Sequence, residues 1–184
     1  MPKDWRRALV ERYPKLFGLD GGGRVVCGGY PGVDDGWREL LERAIGRIAA
    51  AIGGQPSARV QITQIKEKFG GIRIYYATQG LSPGTAAAVA EAVELAGARS
   101  TCTCETCGRA GQLFQSGAWL ATRCEEHAAD GAKALGPQLR VEKYGYIDGK
   151  WTVISRRRYD RDIDAFVDEA EPSDGITANG PQPP

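Results

Sequence analysis

The sequence predicts an α+β fold in which a small, mainly antiparallel sheet packs against two or three helices. Three stretches carry that prediction. WRELLERAIGRIAAAI, from Trp37, repeats its apolar residues at helical spacing. ARVQITQIKEKFGGIRIYY, from Ala58, alternates apolar and polar residues on either side of a glycine turn. VEKYGYIDGKWTVISRRRY, from Val141, repeats that pattern around Asp148-Gly149, a pair suited to a two-residue hairpin turn.

The opening stretch MPKDWRRALVERYPKLF places Trp5, Leu9, Tyr13, Leu16 and Phe17 at helical spacing, so a first helix is expected to end near Gly18. The following GLDGGGRVVCGGYPGVDDG reads as a connection with a short strand at Arg24 to Cys27. It lacks the Lys-Ser/Thr ending of a P-loop and the spacing of a dinucleotide-binding turn. In the helix from Trp37, residues Trp37, Leu40, Leu41, Ala44, Ile45, Ile48 and Ile52 share one face, with Asp34 or Asp35 as the expected cap. Gly53 and Gly54 stop it. In the first hairpin Ile72, Ile74 and Tyr76 point inward, whereas Ile65 falls out of phase with Val60 and Ile62 and predicts a bulge near Gln64. Ser82-Pro83 caps and opens a third helix. DIDAFVDEA predicts a last short helix offering Ile163, Phe166 and Val167 to the core, and EPSDGITANGPQPP reads as a disordered tail. The expected organisation is one α+β domain over residues 1–168 and a tail over 169–184.

Composition narrows the function. Of 184 residues 42% are hydrophobic and 26% charged, the balance of an ordinary globular protein. With 24 basic and 23 acidic residues the net charge is +1, so contact with nucleic acid or anionic lipid has to come from a local patch. No run suits a signal peptide or a membrane span, which leads to the expectation of a reducing cytoplasm, where clustered cysteines bind metal more often than they pair.

The segment CTCETCGRAGQLFQSGAWLATRCEEHAADGAKAL contains a CxxC pair, Cys104 and Cys107, and a CxxH pair, Cys124 and His127. Two tight pairs of soft and borderline donors suit one tetrahedral zinc ion. Gly108 lets the chain turn beneath the first pair. If Cys124 opens a helix, Cys124 and His127 share its face at i and i+3. LFQSGAWLATR supplies a small hairpin around Ser116-Gly117, so the module, at about 100–136, has the knuckle, hairpin and helix order of a treble clef. Cys102 is a further donor that could replace Cys104, and Cys27 reads as a small buried apolar residue. Four protein ligands close the shell, which points to one structural zinc per chain. His127 is the single histidine, leaving none for a nuclease site or a nucleophile's base, and the HxE element of a zinc deaminase is missing.

DDGWRELL, QIKEKFGGIRIYY, CETCG and WLATRCEEH together resemble a family of small proteins encoded by tailed bacteriophages and prophages, over roughly Tyr13 to Ala128. The resemblance implies a phage or prophage origin and a zinc-bearing fold, and brings no settled activity. The expectation is a non-catalytic, zinc-stabilised accessory factor in the cytoplasm of a bacterial host, engaging a host macromolecule, with a host protein as the leading partner. One alternative is a binder of nucleotide or nucleic acid, such as a host signalling nucleotide, through Lys66, Lys68 and Arg73, with Phe69 and Tyr75 to stack on a base. A zinc-dependent hydrolase is the other. Against the first stands a solvated strand face partly neutralised by Glu67. Arg156, Arg157 and Arg158, followed at once by Asp160, Asp162 and Asp164, likewise read as a solvated strand end.

Overall fold

A computed structural model describes residues 4–18 and 28–168. The expected strand at 24–27, Cys27 and the tail at 169–184 lie outside the described residues. Among those described, four α-helices and three three-stranded sheets form the expected α+β fold; the hairpin around Ser116-Gly117 has its own sheet, and the remaining strands form two sheets where the sequence suggested one.

Helix α1 (Trp5–Arg12) is capped by the Asp4 carboxylate, which accepts from the Arg6 amide. It stops at Tyr13 because Pro14 cannot continue it, and Pro14 opens the one-turn α2 (Pro14–Phe17), which ends at Gly18 with φ 57°. The first sheet consists of β1 (Pro31–Gly32), β2 (Arg59–Lys68) and β3 (Gly71–Gln79), with β1 parallel and β3 antiparallel to β2. The register shift between Ile62 and Gln64 is the bulge predicted from the phase of Ile65, and it is what allows Ile62 and Ile65 both to be buried. Helix α3 (Arg38–Gly53) presents Leu40, Leu41, Ala44, Ile45 and Ile48 to this sheet's inner residues and to α4 (Pro83–Ser100). Ser82 caps α4 as expected, accepting from the Thr85 amide. The cap expected for α3 is absent. A 3-10 turn over Asp35–Trp37 precedes the helix, Asp34 makes no side-chain cap, and Asp35 accepts from the Trp5 indole at 2.8 Å and pairs with Arg6.

The second sheet, ordered β5-β4-β6, is built from β4 (Gln112–Ser116), β5 (Trp119–Arg123) and β6 (Lys133–Gly136). The third is ordered β7-β8-β9, from β7 (Arg140–Ile147), β8 (Lys150–Asp160) and β9 (Ala165–Asp168), with Asp148 and Gly149 at φ 50° and 77° in the predicted turn. Two helices expected from the sequence are strands instead. After His127 the chain leaves its 3-10 turn at Ala128, with ψ 143°, and β6 pairs with β4. The final segment turns at Asp164, φ 50°, and β9 sends Phe166 against Tyr159 while Ile163 stays exposed.

Asp164 joins the third sheet to the helices. Its carboxylate accepts from the buried Tyr159 hydroxyl at 2.5 Å and faces Arg43, Arg47 and Arg99. Burial disfavours its charge, but the Tyr159 hydroxyl and the guanidiniums of Arg47 and Arg99 outweigh that and hold its pKa below the ordinary carboxylate value. Arg157 ties the same sheet to Glu91 and Glu94 on α4. None of the described helices is long and apolar enough to cross a membrane.

Asp164→Asn is expected to lower stability at neutral pH by on the order of 2 kcal/mol, the scale of charged hydrogen bonds lost in a partly buried cluster. Because the folded pKa lies below the unfolded one, near 3.8, the wild type's advantage is complete above that value and disappears as pH falls through the folded pKa. Thermal melts of both proteins between neutral and strongly acidic pH should show the gap closing. A gap independent of pH contradicts the role given to this carboxylate.

Candidate metal centre

The centre begins where α4 ends. An isolated bridge between Thr103 and Ala110 closes a loop in which the Gly108 amide donates to the Cys104 carbonyl and the Cys104 amide donates to the Arg109 carbonyl, both at 2.8 Å. Gly108 sits at φ 78°, where a side chain would be strained. The second half follows β5. The His127 and Ala128 amides both donate to the Cys124 carbonyl, so a single turn brings Cys124 and His127 to one side without the helix of a treble clef.

The four donor atoms of Cys104, Cys107, Cys124 and His127 lie within 4.8 Å of one another, close enough to hold a metal ion. Ordinary zinc bond lengths in a tetrahedron require edges of roughly 3.8 Å between sulfurs and roughly 3.6 Å between sulfur and nitrogen. Cys107 Sγ and Cys124 Sγ are 3.8 Å apart, and His127 Nδ1 lies 3.7 Å from Cys104 Sγ and 3.2 Å from Cys124 Sγ. The donor set and these separations are compatible with zinc. Cys102 stands apart from the cluster, buried with its thiol on the Arg99 carbonyl at 3.3 Å.

Two ion pairs cross-brace the halves, and neither was evident from the ligand spacing. Glu105, inside CxxC, pairs with Arg123, the residue before Cys124. Arg109, just after the first pair, meets Glu126 inside CxxH and donates to Cys107 Sγ at 3.5 Å. That contact holds the Cys107 thiol down at about 6, whereas desolvation and the neighbouring Cys107 and Cys104 sulfurs push Cys124 up. Thiols crowded this closely cannot all ionise cheaply unless a cation joins them.

Two sequence motifs read above as a helix opening and a turn dock this module onto the core. The Trp37 indole donates to the Thr103 carbonyl at 2.8 Å in the interior, and the Gly36 amide donates to the Glu105 carbonyl at 2.8 Å. A Cβ at Gly36 would overlap the Cys104 and Glu105 carbonyls and the Gly108 amide. At the tip of the β2–β3 hairpin, the Gly70 carbonyl accepts from the buried Thr122 hydroxyl, and a Cβ at Gly70 would collide with Leu113. Ser100, at the end of α4, accepts from the Ile72 amide at 2.9 Å.

The residues singled out on the hairpin are partly brought together. Lys66 lies directly opposite Arg73 in the ladder, next to the Gln64–Tyr75 pair, and its ammonium rests 5.2 Å from the Tyr75 ring centroid. Lys68 lies 5.2 Å from the Phe69 centroid at the turn. Glu67 turns back to accept from the Gly70 amide at 2.6 Å. Each member of the Arg156–Arg158 run has a carboxylate partner: Glu142 for Arg156, Glu91 and Glu94 for Arg157, and Asp160 for Arg158. Compared with models of protein families, with curated proteins and with solved structures, the chain has no match in any of the three.

Gly36→Ala is expected to unseat the knuckle, because the overlap is with backbone and cannot be relieved by turning a side chain. The thermal transition should fall by several degrees and metal should pass to a competing chelator at least tenfold faster. Gly53→Ala, with open space around its Cβ, is the control and should change neither. Equal behaviour of the two variants contradicts the docking role of Gly36.

Proposed function

We propose that this chain is a non-catalytic binding protein folded around one structural zinc ion held by Cys104, Cys107, Cys124 and His127. The observation that carries the reading is the convergence of three thiols and the only imidazole within 4.8 Å. On a tetrahedral ion these four donors leave no position for water or substrate, so the Lewis-acid chemistry that zinc can supply has nowhere to act. The hydrolase alternative needs such a position. What the chain's own residues do around the ion is structural: Arg109 offsets the excess charge of three thiolates on a divalent cation, Glu105–Arg123 spans the two ligand pairs, and Gly36 and Trp37 hold the knuckle. The resemblance to phage and prophage proteins supports an accessory role in a bacterial cytoplasm, with a host macromolecule as partner.

One observation favours the nucleotide-binding alternative. Lys66 and Arg73 face each other across the strand pair, a like-charge juxtaposition that costs stability unless an anion sits between them. A phosphate there would relieve it, with Tyr75 beside it to stack.

Elemental analysis of protein purified without added metal should return one zinc per chain. Cys124→Ser and His127→Ala should lose the ion and most of the folded protein, since structural zinc contributes directly to folding free energy. Cys102→Ser should keep both. A stoichiometry near zero or two, or zinc lost from Cys102→Ser and kept by Cys104→Ser, contradicts the assignment.

A further inference from the structure

The β7–β8 hairpin is anchored at its base and bare beyond it. At the base Arg157 binds Glu91 and Glu94, Lys143 binds Glu94 at 2.7 Å, and Val141 packs on the cluster around Tyr159. Strand β9 covers β8 only from Arg157 to Asp160. Past the register shift between Lys143 and Tyr144, every residue from Tyr144 to Ile154 except Gly145 and Val153 is exposed. Tyr144, Tyr146 and Trp151 are 56%, 65% and 69% exposed. Ile147 and Ile154 are exposed as well. A two-stranded extension contributes little stability of its own, and apolar groups gathered on one in water mark a contact surface.

The order of side chains along one face identifies the ligand class. Tyr146 and Trp151 lie directly opposite each other with ring centroids 5.4 Å apart, edge to face. Tyr144 follows two residues along on the same face, about 7 Å away by strand geometry. Next come the facing residues Glu142 and Arg156, then Arg140 and Arg158. Glu142 accepts from the Tyr144 hydroxyl at 2.5 Å and from Arg156 at 3.0 Å, so this carboxylate serves to fix a ring and a guanidinium. Residues 140–158 contain six basic and two acidic side chains in a chain whose net charge is only +1. The ion pairs of Arg156 with Glu142 and of Arg158 with Asp160 are exposed, a kind worth about 0 to 1 kcal/mol, so a polyanion can replace them. A wholly apolar protein surface would match the rings and leave the cations unanswered.

We propose that this strip binds single-stranded nucleic acid, bases stacking on Tyr144, Tyr146 and Trp151 while Arg156 and Arg158 meet the phosphates. The inference rests on the reading of the chain as a zinc-stabilised binding protein and names the class of its partner. Flat, sequence-tolerant stacking predicts little preference among bases and none of the groove reading that a duplex requires.

The test is fluorescence anisotropy with labelled oligothymidylate and oligouridylate of about 20 nucleotides at two salt concentrations. The wild type should bind at micromolar strength and more weakly as salt rises, through release of counterions. Tyr146→Ala combined with Trp151→Ala should weaken binding tenfold or more while zinc content and thermal transition stay unchanged, because both rings lie outside the core. Arg156→Ala combined with Arg158→Ala should flatten the salt dependence. The proposal is overturned if the zinc-replete wild type ignores both oligonucleotides or if the aromatic double variant binds them undiminished. It is also overturned if gel filtration shows a dimer that disappears in that variant, since the strip then serves a second copy of the chain. A wild type that purifies without zinc would instead count against the structural-zinc reading, so the two failures are told apart.

Discussion

The structure depends on a close contact between the 3-10 turn before α3 and the loop carrying Cys104 and Cys107, the first two candidate metal ligands. Gly36 brings its backbone against Cys104, Glu105 and Gly108 because it has no side chain, and Trp37 reaches past it to donate a buried hydrogen bond to Thr103. Trp37 is also part of the main core, fully buried beside Leu40 and Leu41. One residue therefore belongs to the hydrophobic interior and also holds the loop that leads into the candidate metal centre. A second contact, Gly70 with Leu113 and Thr122, ties the tip of the first hairpin to the other side of the same module. The module cannot shift without disturbing the ends of α3 and of the β2–β3 hairpin.

This explains why glycine-rich motifs accompany the cysteine pairs in the sequence. A small segment such as 102–136 has little core of its own and is fixed by its ligands and by what it leans on. DGW and FGG provide surfaces flat enough to lean on. The cross-braces Glu105–Arg123 and Arg109–Glu126 then orient the two ligand pairs, and Arg109 places positive charge beside the sulfurs.

Much of this was legible in the sequence where a single periodicity or spacing decided the outcome. The buried face of α3, the hairpin register with its bulge at Ile62–Gln64, the Ser82 cap and the four-donor cluster follow from such local rules. What local rules missed was decided by distant partners. Asp35 looked like a helix cap and was claimed by Trp5 and Arg6. Ala128, Ala129, Ala132 and Ala134 suited a helix, yet the open edge of β4 drew residues 133–136 into a strand. The last segment, read as a helix, was turned by Asp164, whose carboxylate three arginines and Tyr159 hold in place. The roles of Gly36 and Gly70 were hidden for the same reason, since a close approach to backbone far along the chain leaves no mark beyond the glycine itself.

Apart from this scaffold stand the Lys66–Arg73 strand face and the exposed aromatic end of the β7–β8 hairpin. If the candidate metal shell and the core form one cooperative unit through Gly36, Trp37 and Gly70, amide hydrogen exchange with and without a zinc chelator reveals it most directly. Chelation is predicted to raise exchange across 102–136 and, together with it, at Gly36, Trp37 and Gly70 to Ile72, while the middle of α3 keeps its protection. Exchange that rises only within 102–136 would show that the module opens independently and would contradict the account.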